Sequence, residues 1–316
     1  MAEEMMFGGQ AVIEGVMMRS PRYYAVACRT PDGEVVLHQE PVGATLLGKL
    51  DWLNRPFLRG TLAIIDALAL GLKALAYAAN VQATAEAEAN EAARRAAGRP
   101  SKKAQAADMA IGVTLAISLA AGVGLFVILP TLLTQLVQYR LGVDSAIARN
   151  LLDGVMRIGI FLGYVTLISF IANIRRVFQY HGAEHKAINA LENGRELTLD
   201  NAMAESRIHP RCGTSFVVIV LLATILVHTL FPRPEHALVR IALHLALLPL
   251  VAGTAYELIR LAGRARSQRL LTILLAPGLW SQRLTTREPD AQQVQVALAA
   301  LTNVIDRERS EPPATR

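Results

Sequence analysis

Residues 214–231 read TSFVVIVLLATILVHTLF, and His228 is the only ionisable side chain in this run. Three other runs are similarly apolar, and the whole chain is 53% hydrophobic and 18% charged, which is more apolar than an ordinary soluble domain. Because a helix needs about 20 apolar residues to cross a bilayer, the pattern predicts a mainly α-helical integral membrane protein with about four transmembrane helices. The predicted spans are 109–137, 155–174, 214–231 and 238–257.

Positive charges are distributed unevenly between these spans. The net charge is +6, and 12 Lys and Arg residues precede the first span, whereas the loop 138–153 has only Arg140 and Arg149. Since Lys and Arg accumulate on the cytoplasmic side of membrane proteins, both termini and the segment 175–213 are predicted to be cytoplasmic, with the spans in the cell (inner) membrane. The expected contacts of the basic surface are membrane lipids, and no nucleic-acid motif accompanies the charge.

The predicted organisation has four parts that differ in composition. The first is β-rich and cytoplasmic. The second combines an interfacial helix with an Ala-rich charged helix and a linker. The third is the transmembrane bundle with its cytoplasmic segment, and the fourth is a cytoplasmic or interfacial tail with an amphipathic helix. The boundaries of these parts are 1–58, 59–107, 108–260 and 261–316.

The N-terminal part predicts a small sheet followed by an interfacial helix. Residues 8–40 contain short β-prone runs, and Pro-Asp-Gly at 31–33 marks a turn, which together predict a three-stranded meander. Residues 60–80 predict a helix that is nearly long enough to span. Because Asp66 and Lys73 would each cost about 2.5–3.5 kcal/mol at mid-bilayer, we interpret this helix as interfacial rather than as a fifth span.

Four further segments are predicted to be helical or to lie on the membrane surface. Residues 175–191 continue the second span as a helix that ends at an Asn-Gly pair, and a shorter helix occupies 199–208. The apolar stretch 270–280 is interrupted by a Pro-Gly pair and is too short to span. Residues 291–305 have apolar side chains at helical spacing, which predicts an amphipathic helix.

The most informative motif for chemistry is His-Gly-Ala-Glu-His at 181–185. Residues four apart share one face of a helix, so His181 and His185 can direct two imidazoles at one point, and Glu184 lies on nearly the same face. This is the H-x-x-E-H spacing, in which two histidines bind zinc and the glutamate acts as a base. A solvated helix face with two histidines is the alternative.

A second motif, His-Pro-Arg-Cys-Gly at 209–213, adds a third imidazole and a thiol. It lies just before the third span, and His181 lies just after the second, so both segments are expected at the same membrane surface. The sequence therefore predicts a metal site formed by His181, His185 and either His209 or Cys212. Zinc is the expected ion.

Two carboxylates and two intramembrane histidines complete the candidates. Glu257 lies at the end of the fourth span, where an ionisable group is a functional candidate, and Glu14 lies among apolar neighbours in the N-terminal sheet. We expect both to be directed toward the site. The alternative for Glu257 is a snorkelling residue at the membrane interface, and the alternative for Glu14 is the solvent face of the strand. His228 and His244 lie inside the third and fourth spans, where we expect satisfied core histidines that could face each other, and a proton relay is the alternative.

Four strings of the sequence resemble those of a known bacterial membrane family. They are GGQAVIEGVMMRSP at 8–21, YHGAEHKAI at 180–188, SRIHPRCGTSF at 206–216 and AYEL at 255–258. The chain is similar to the YqhQ-like family of unknown function, which is described as predicted metal-dependent enzymes. The positions that match the family's motifs are Glu14, His181, Glu184, His185, His209, Cys212 and Glu257.

These patterns together predict a zinc-type membrane hydrolase. Glu184 would be its general base, assisted by Glu14 and Glu257. The substrate would be lipid-like or a membrane peptide, because the site lies at the membrane surface. Two alternatives belong to other classes: a membrane scaffold or assembly factor with a structural metal site, and a transporter with His228 and His244 along its path.

Overall fold

The N-terminal part folds as a four-stranded antiparallel sheet in the computed structural model of the chain. The structure describes residues 7–43, 55, 58–96, 117–142, 145–231, 234, 236–264 and 268–310. The strands are adjacent in chain order. They are β1 (Gly8–Val12), β2 (Gly15–Arg19), β3 (Tyr23–Arg29) and β4 (Val35–Pro41).

The sheet has one strand more than predicted because the first β-prone run reverses its direction. Val12 pairs with Gly15, so a two-residue turn lies between them, and Glu14 in this turn has a φ of 50°. Non-glycine residues seldom adopt a positive φ, so the sequence offers no turn signal here. The prediction of three strands was therefore wrong by one, whereas the predicted turn at 31–33 lies between β3 and β4.

Nine helices follow the sheet within the described residues. The second of them contains a π-helical turn at Gly124–Ile128. The helices are α1 (Leu58–Ala96), α2 (Ile117–Leu141), α3 (Ala146–Ile168), α4 (Ala172–Glu192), α5 (Leu199–Ala204), α6 (Gly213–Thr229), α7 (Ala237–Arg264), α8 (Gln268–Thr285) and α9 (Ala291–Ser310).

Four of these helices are long and apolar enough to cross a membrane. They include α2 and parts of α1, α3 and α7. Helix α6, which the sequence predicts to span, is apolar but has only 17 residues and is shorter than these four helices. The stretch Arg59–Ala85 of α1 meets the same criteria of length and composition, although the sequence predicts an interfacial helix there. Residues 97–116, which contain the end of the predicted linker and the start of the first predicted span, lie outside the described residues.

Helix α1 packs on two different partners along its length. Near its start Gly60 touches α7, where a Cβ on this glycine would lie 2.6 Å from the Cβ of Tyr256. Farther along, one side of α1 is buried against the sheet and the other side exposes Leu68 and Leu72. The sheet thus covers one side of the later part of the apolar stretch. The residues buried against the sheet are Leu70, Ala74 and Ala78.

The other face of the sheet is covered by α4 and α9. Alternate side chains of β2 and β3 point to this second face, among them Val16 and Met18, and they are fully buried. Helix α9 confirms the predicted amphipathic helix, since its apolar side is buried in the same core. Because this core includes α4, the helix that carries the histidine motif is fixed between the sheet and α9. The buried side chains of α9 in this core are Val294, Val296, Ala297, Leu298, Ala300, Leu301, Val304 and Ile305.

Three helix boundaries differ from the prediction. Helix α4 does not continue α3, because Ile171 adopts an extended backbone with ψ of 124° and breaks the helix. Helix α8 is continuous through Pro277, and Gly278 beside it lets α8 approach α6 closely: a Cβ there would lie 2.6 Å from the Cβ of Ser215. Helix α5 ends at Ala204, earlier than predicted.

Candidate metal centre

Helix α4 carries the histidine motif, and its packing explains the glycine within it. His181 and His185 share one face of α4, as the four-residue spacing predicts. Gly182 lies against the segment that follows α8, where a Cβ would be 2.2 Å from the carbonyl oxygen of Arg287. The N–H of Arg287 also donates a hydrogen bond of 2.8 Å to the carbonyl of Phe178. Only glycine at 182 allows this segment to lie directly on α4.

His181 reaches from α4 to the cysteine at the start of α6. Its Nε2 lies 3.2 Å from Cys212 Sγ, and its Nδ1 lies 2.9 Å from the carbonyl oxygen of Thr285. Because a carbonyl oxygen can only accept, Nδ1 is the donor, and the neutral ring has its lone pair on Nε2. This lone pair is therefore available on the side that faces the sulfur.

His185 is oriented in the same way by a different segment. Its Nδ1 donates to the carbonyl of Arg207 at 2.7 Å, and its ring centroid lies 4.5 Å from that of His181. The ligand atoms of His181, His185 and Cys212 all lie within 4.8 Å of one another. Within the described part of the chain, no other three His, Cys, Asp or Glu residues form such a group.

Cys212 is the N-cap of α6, which fixes the position of its sulfur. Sγ accepts a hydrogen bond of 3.4 Å from the N–H of Thr214, and the hydroxyl of the same threonine lies 3.1 Å away. A helix N-terminus carries partial positive charge and favours an anion, so this position suits a thiolate, the form of cysteine that binds metals.

His209 is near the group but is directed elsewhere. Its ring centroid is 5.7 Å from that of His185, yet its Nδ1 accepts from the N–H of Arg211 at 3.3 Å and its Nε2 faces Glu192 at 3.3 Å. Burial lowers the pKa of His209, and Glu192 acts in the opposite direction. The structure thus distinguishes between the two candidates for the third ligand. It brings Cys212 to His181 and His185, and it does not bring His209 to them.

Glu184 is buried beside the group without belonging to it. It is 5% exposed and packs under β1, where a Cβ on Gly9 would lie 2.8 Å from its Cγ. Burial raises the pKa of Glu184 to about 7, although His181 and a backbone hydrogen bond from Gly9 partly oppose the rise. A buried carboxyl group that can gain or lose a proton near neutral pH is a common feature of catalytic sites.

The two other predicted carboxylates are held in ion pairs away from the histidines and cysteine. Glu14 is paired with Arg176 of α4. Glu257 accepts two hydrogen bonds from Arg59, at 2.7 and 2.6 Å, which join α7 to the start of α1. The structure does not bring either carboxylate into the ligand group, and each connects two elements of the fold.

Several residues that hold the site carried no recognised motif. Gln282 of α8 is fully buried; its side-chain carbonyl accepts from the N–H of His209 at 2.9 Å, and its amide donates to the carbonyl of the same residue at 2.8 Å. Gln282 lies in the polar run Ser-Gln-Arg at 281–283, just after the apolar stretch, so no signal in the sequence distinguished it. Thr285 and Arg207 act through backbone carbonyls, which no sequence pattern reveals.

The fold and the site together define a mainly helical protein with four helices of membrane-spanning length and composition and a partly buried group of two histidines and one cysteine. Residues 55–307 match the family described as a protein of unknown function, DUF1385, and the chain belongs to this family. A curated relative, the uncharacterised protein YqhQ of Bacillus subtilis (strain 168), is 32% identical over 300 residues, which cover 95% of this chain and 92% of the relative. No solved structure matches the chain.

Proposed function

We propose that this chain is a metal-dependent enzyme of the inner membrane, a zinc-type hydrolase with its site at the cytoplasmic surface. His181, His185 and Cys212 bind the metal ion. Zinc is favoured because imidazole nitrogen and thiolate sulfur are its usual protein ligands. The observation that carries the proposal is the convergence of these three ligand atoms within 4.8 Å of one another.

The hydrogen bonds around the ligands suit this role. Histidines that bind metals usually donate their other ring N–H to a carbonyl or a carboxylate, and both imidazoles here donate to backbone carbonyls. Tetrahedral zinc separates its ligand atoms by roughly 3.3–3.8 Å, given bond lengths of about 2.0–2.3 Å. The 3.2 Å between His181 Nε2 and Cys212 Sγ requires only a small adjustment. When bound, zinc would supply a Lewis acid for hydrolysis.

The number of ligands favours an enzyme over a structural metal site. Structural zinc is normally held by four protein ligands, whereas catalytic zinc keeps one position open. The group has three ligand residues within the described chain, and His209, the obvious fourth, is directed at Glu192. The scaffold alternative would need this imidazole to rotate away from its present partners.

In the proposed reaction Glu184 is the residue that accepts a proton from water. It is placed next to His181 and His185 by its position in α4 and is enclosed by β1, as the contact with Gly9 indicates. A base beside a metal-binding pair on one helix is the arrangement expected from the H-x-x-E-H spacing. Glu14 and Glu257 have no direct part in this proposal because each is engaged by an arginine.

A lipid-like or membrane-peptide substrate is supported by an apolar cavity close to the same helices. The cavity has a volume of about 150 Å³ and lies between α3, α6 and α8. Helix α6 begins directly after Cys212, and α8 ends at Thr285, so the walls of the cavity and the proposed metal site share two helices. Val218, Leu221 and Trp280 are among its lining residues, and they suit an acyl chain or an apolar side chain.

Metal analysis of the purified full-length protein tests the proposal. We expect about one zinc ion per chain in the wild type and loss of this zinc in His181→Ala and in Cys212→Ser. His209→Gln is the matched control, since it removes a nearby imidazole that lies outside the ligand group, and it should retain the metal. A wild type that takes up no zinc from a zinc-containing buffer, or equal zinc in all variants, would contradict the proposal.

A second variant separates the enzyme from the scaffold. Glu184→Gln removes the base and leaves the three ligands in place, so it should retain zinc and fail to restore the phenotype of a strain that lacks the gene. If Glu184→Gln restores the phenotype as well as the wild type does, and His181→Ala does not, the metal has a structural role and the hydrolase proposal is wrong.

A further inference from the structure

A half-buried histidine, His228, and a buried one, His244, face each other at the end of α6 that is remote from Cys212. The rings of His228 in α6 and His244 in α7 stack with centroids 4.2 Å apart and 24° between their planes. Each Nδ1 donates to a carbonyl four residues earlier in its own helix, Thr224 at 2.8 Å for His228 and Arg240 at 2.7 Å for His244. Both rings therefore carry a hydrogen on Nδ1, and in the neutral form each Nε2 is an acceptor without a hydrogen.

Asp153 of α3 faces this pair, and the three side chains together offer more hydrogen-bond acceptors than donors. His244 Nε2 lies 3.4 Å from Asp153 Oδ2. Among the described residues, neither histidine Nε2 nor Asp153 Oδ1 has a hydrogen-bond partner. The predicted core histidines thus face each other, but they are not satisfied. A buried acceptor without a donor costs about 1–3 kcal/mol, so three such atoms in one place favour the binding of a hydrogen donor among them.

A small cavity lies at the same place. Its volume is about 20 Å³, and its lining includes Asp153, His228 and His244. This is room for about one water molecule, and it is too small for a metabolite. The occupant of the group must therefore be of the size of a water molecule or smaller.

The surrounding charges argue against a divalent metal ion as this occupant. Arg157 donates to Asp153 Oδ2 at 2.8 Å, and Arg240 and Arg149 add positive charge nearby. A divalent ion would add two positive charges to this excess, whereas a proton adds one. The ligand atoms also fail to converge, since the described chain has one group of three within 4.8 Å, and it does not include Asp153, His228 or His244.

We propose that Asp153, His228 and His244 form a proton-binding site. One proton is shared between His244 Nε2 and the Asp153 carboxylate, and a water molecule in the cavity donates hydrogen bonds to the remaining acceptors, including His228 Nε2. The proton turns the contact between His244 and Asp153 from two opposed lone pairs into a charge-assisted hydrogen bond. Cys212 and His228 are separated by roughly 24 Å along α6, so this site is distinct from the proposed metal site and does not depend on it.

Nitrogen NMR of the full-length protein in lipid nanodiscs tests this site directly. The protein is labelled with ¹⁵N-histidine, and the signals are assigned with His228→Gln and His244→Gln. We expect both nitrogens of His244 to be protonated at pH 7 and this ring to lose its proton only as the pH is raised. A His244 ring that is neutral, with hydrogen on Nδ1 alone, at every pH between 5 and 8 would overturn the proposal.

Variants and a chelator distinguish a bound proton from a bound metal ion and from a change in packing. Asp153→Asn should lower the proton affinity of His244 by at least about tenfold, which is one pH unit. Thr224→Val is the matched control, since it changes the cavity wall and keeps the backbone carbonyl that holds His228, and it should leave the titration unchanged. His181→Ala should also leave it unchanged. Signals of His228 and His244 that move when a chelator is added would reveal a metal and overturn the proposal. If Asp153→Asn does not fold, the wild-type titration decides alone.

Discussion

The two histidine clusters at opposite ends of α6 orient their rings by the same kind of hydrogen bond but contain different third groups. In both, Nδ1 donates to a backbone carbonyl, so Nε2 is the ring nitrogen left to interact with other groups. At the first cluster the carbonyls belong to distant segments, those of Thr285 and Arg207, and the third group is the sulfur of Cys212. At the second the carbonyls come from the same helix, and the third group is Asp153.

This difference shows that the tautomer of a buried histidine does not by itself decide what the ring binds. A thiolate at a helix N-terminus offers a soft ligand with its own hydrogen bonds, which favours a metal ion such as zinc. A carboxylate that already accepts from Arg157 has lost much of its attraction for a divalent ion. The third group and its neighbours therefore determine that one cluster suits a metal and the other a proton.

The largest expected effect separates the two clusters by their metal content. His185→Ala should reduce zinc affinity by about a hundredfold or more, because altering even a partner of a ligand costs about 10–100-fold, whereas His244→Ala should leave it unchanged. Competition with a zinc chelator on the folded proteins measures both. A loss of zinc in folded His244→Ala would show that the clusters are not independent.

The second prediction concerns the ion pair of the remote cluster. Arg157→Leu should lower the free energy of unfolding by about 3–5 kcal/mol, because it removes the arginine that pairs with the buried Asp153 carboxylate. The double variant Asp153→Leu with Arg157→Leu should be closer to the wild type, since it removes both charges. Denaturant unfolding in one detergent compares the three proteins. If the double variant is as unstable as Arg157→Leu, the cost comes from packing and not from an unpaired charge.

The third prediction uses the pH dependence of the first cluster in metal-free protein. The pKa of Glu184 is raised from 4.5 to about 7, so the folded state holds a proton that the unfolded state releases between these values. The proton on Glu184 stabilises the folded state fully below pH 4.5, and this stabilisation is lost as the pH rises to about 7. The free energy of unfolding should fall by about 3 kcal/mol at most over this range. Unfolding of chelator-treated wild type and Glu184→Gln from pH 4.5 to 8 measures it. Equal pH dependence in both proteins would refute the assignment to Glu184.

The smallest expected effect tests the close packing on α4. Gly182→Ala should lower the free energy of unfolding by about 1–3 kcal/mol, because the new Cβ would meet the carbonyl of Arg287 and the backbone must shift. Gly163→Ala is the matched control in α3, where nothing lies within 4 Å of the added Cβ, and it should have little effect or stabilise slightly. Similar destabilisation by both substitutions would show that helix propensity, and not this contact, is being measured.

The parts of the fold that could be predicted depend on periodicity along the chain. The shared face of His181 and His185 and the apolar side of α9 follow from 3.6 residues per turn, and the structure confirms both. The predictions that were wrong concern local backbone conformations that are unusual for their residues and that occur where the segment packs against other parts of the chain. Glu14 adopts a positive φ in a tight turn, and α8 remains helical through Pro277 while it packs closely on α6 at Gly278.

The sequence by itself determined the apolar helices, the uneven charge and the pair of imidazoles on one face of α4, because each of these is a pattern of neighbouring residues. Only the tertiary structure decided that Cys212 and not His209 joins that pair, and that Glu14 and Glu257 are engaged by arginines. It also decided that Asp153 meets two histidines. The physical reason is that these contacts depend on how separate helices pack, and the rotation and depth of each helix are fixed by close contacts such as those of Gly182 and Gln282.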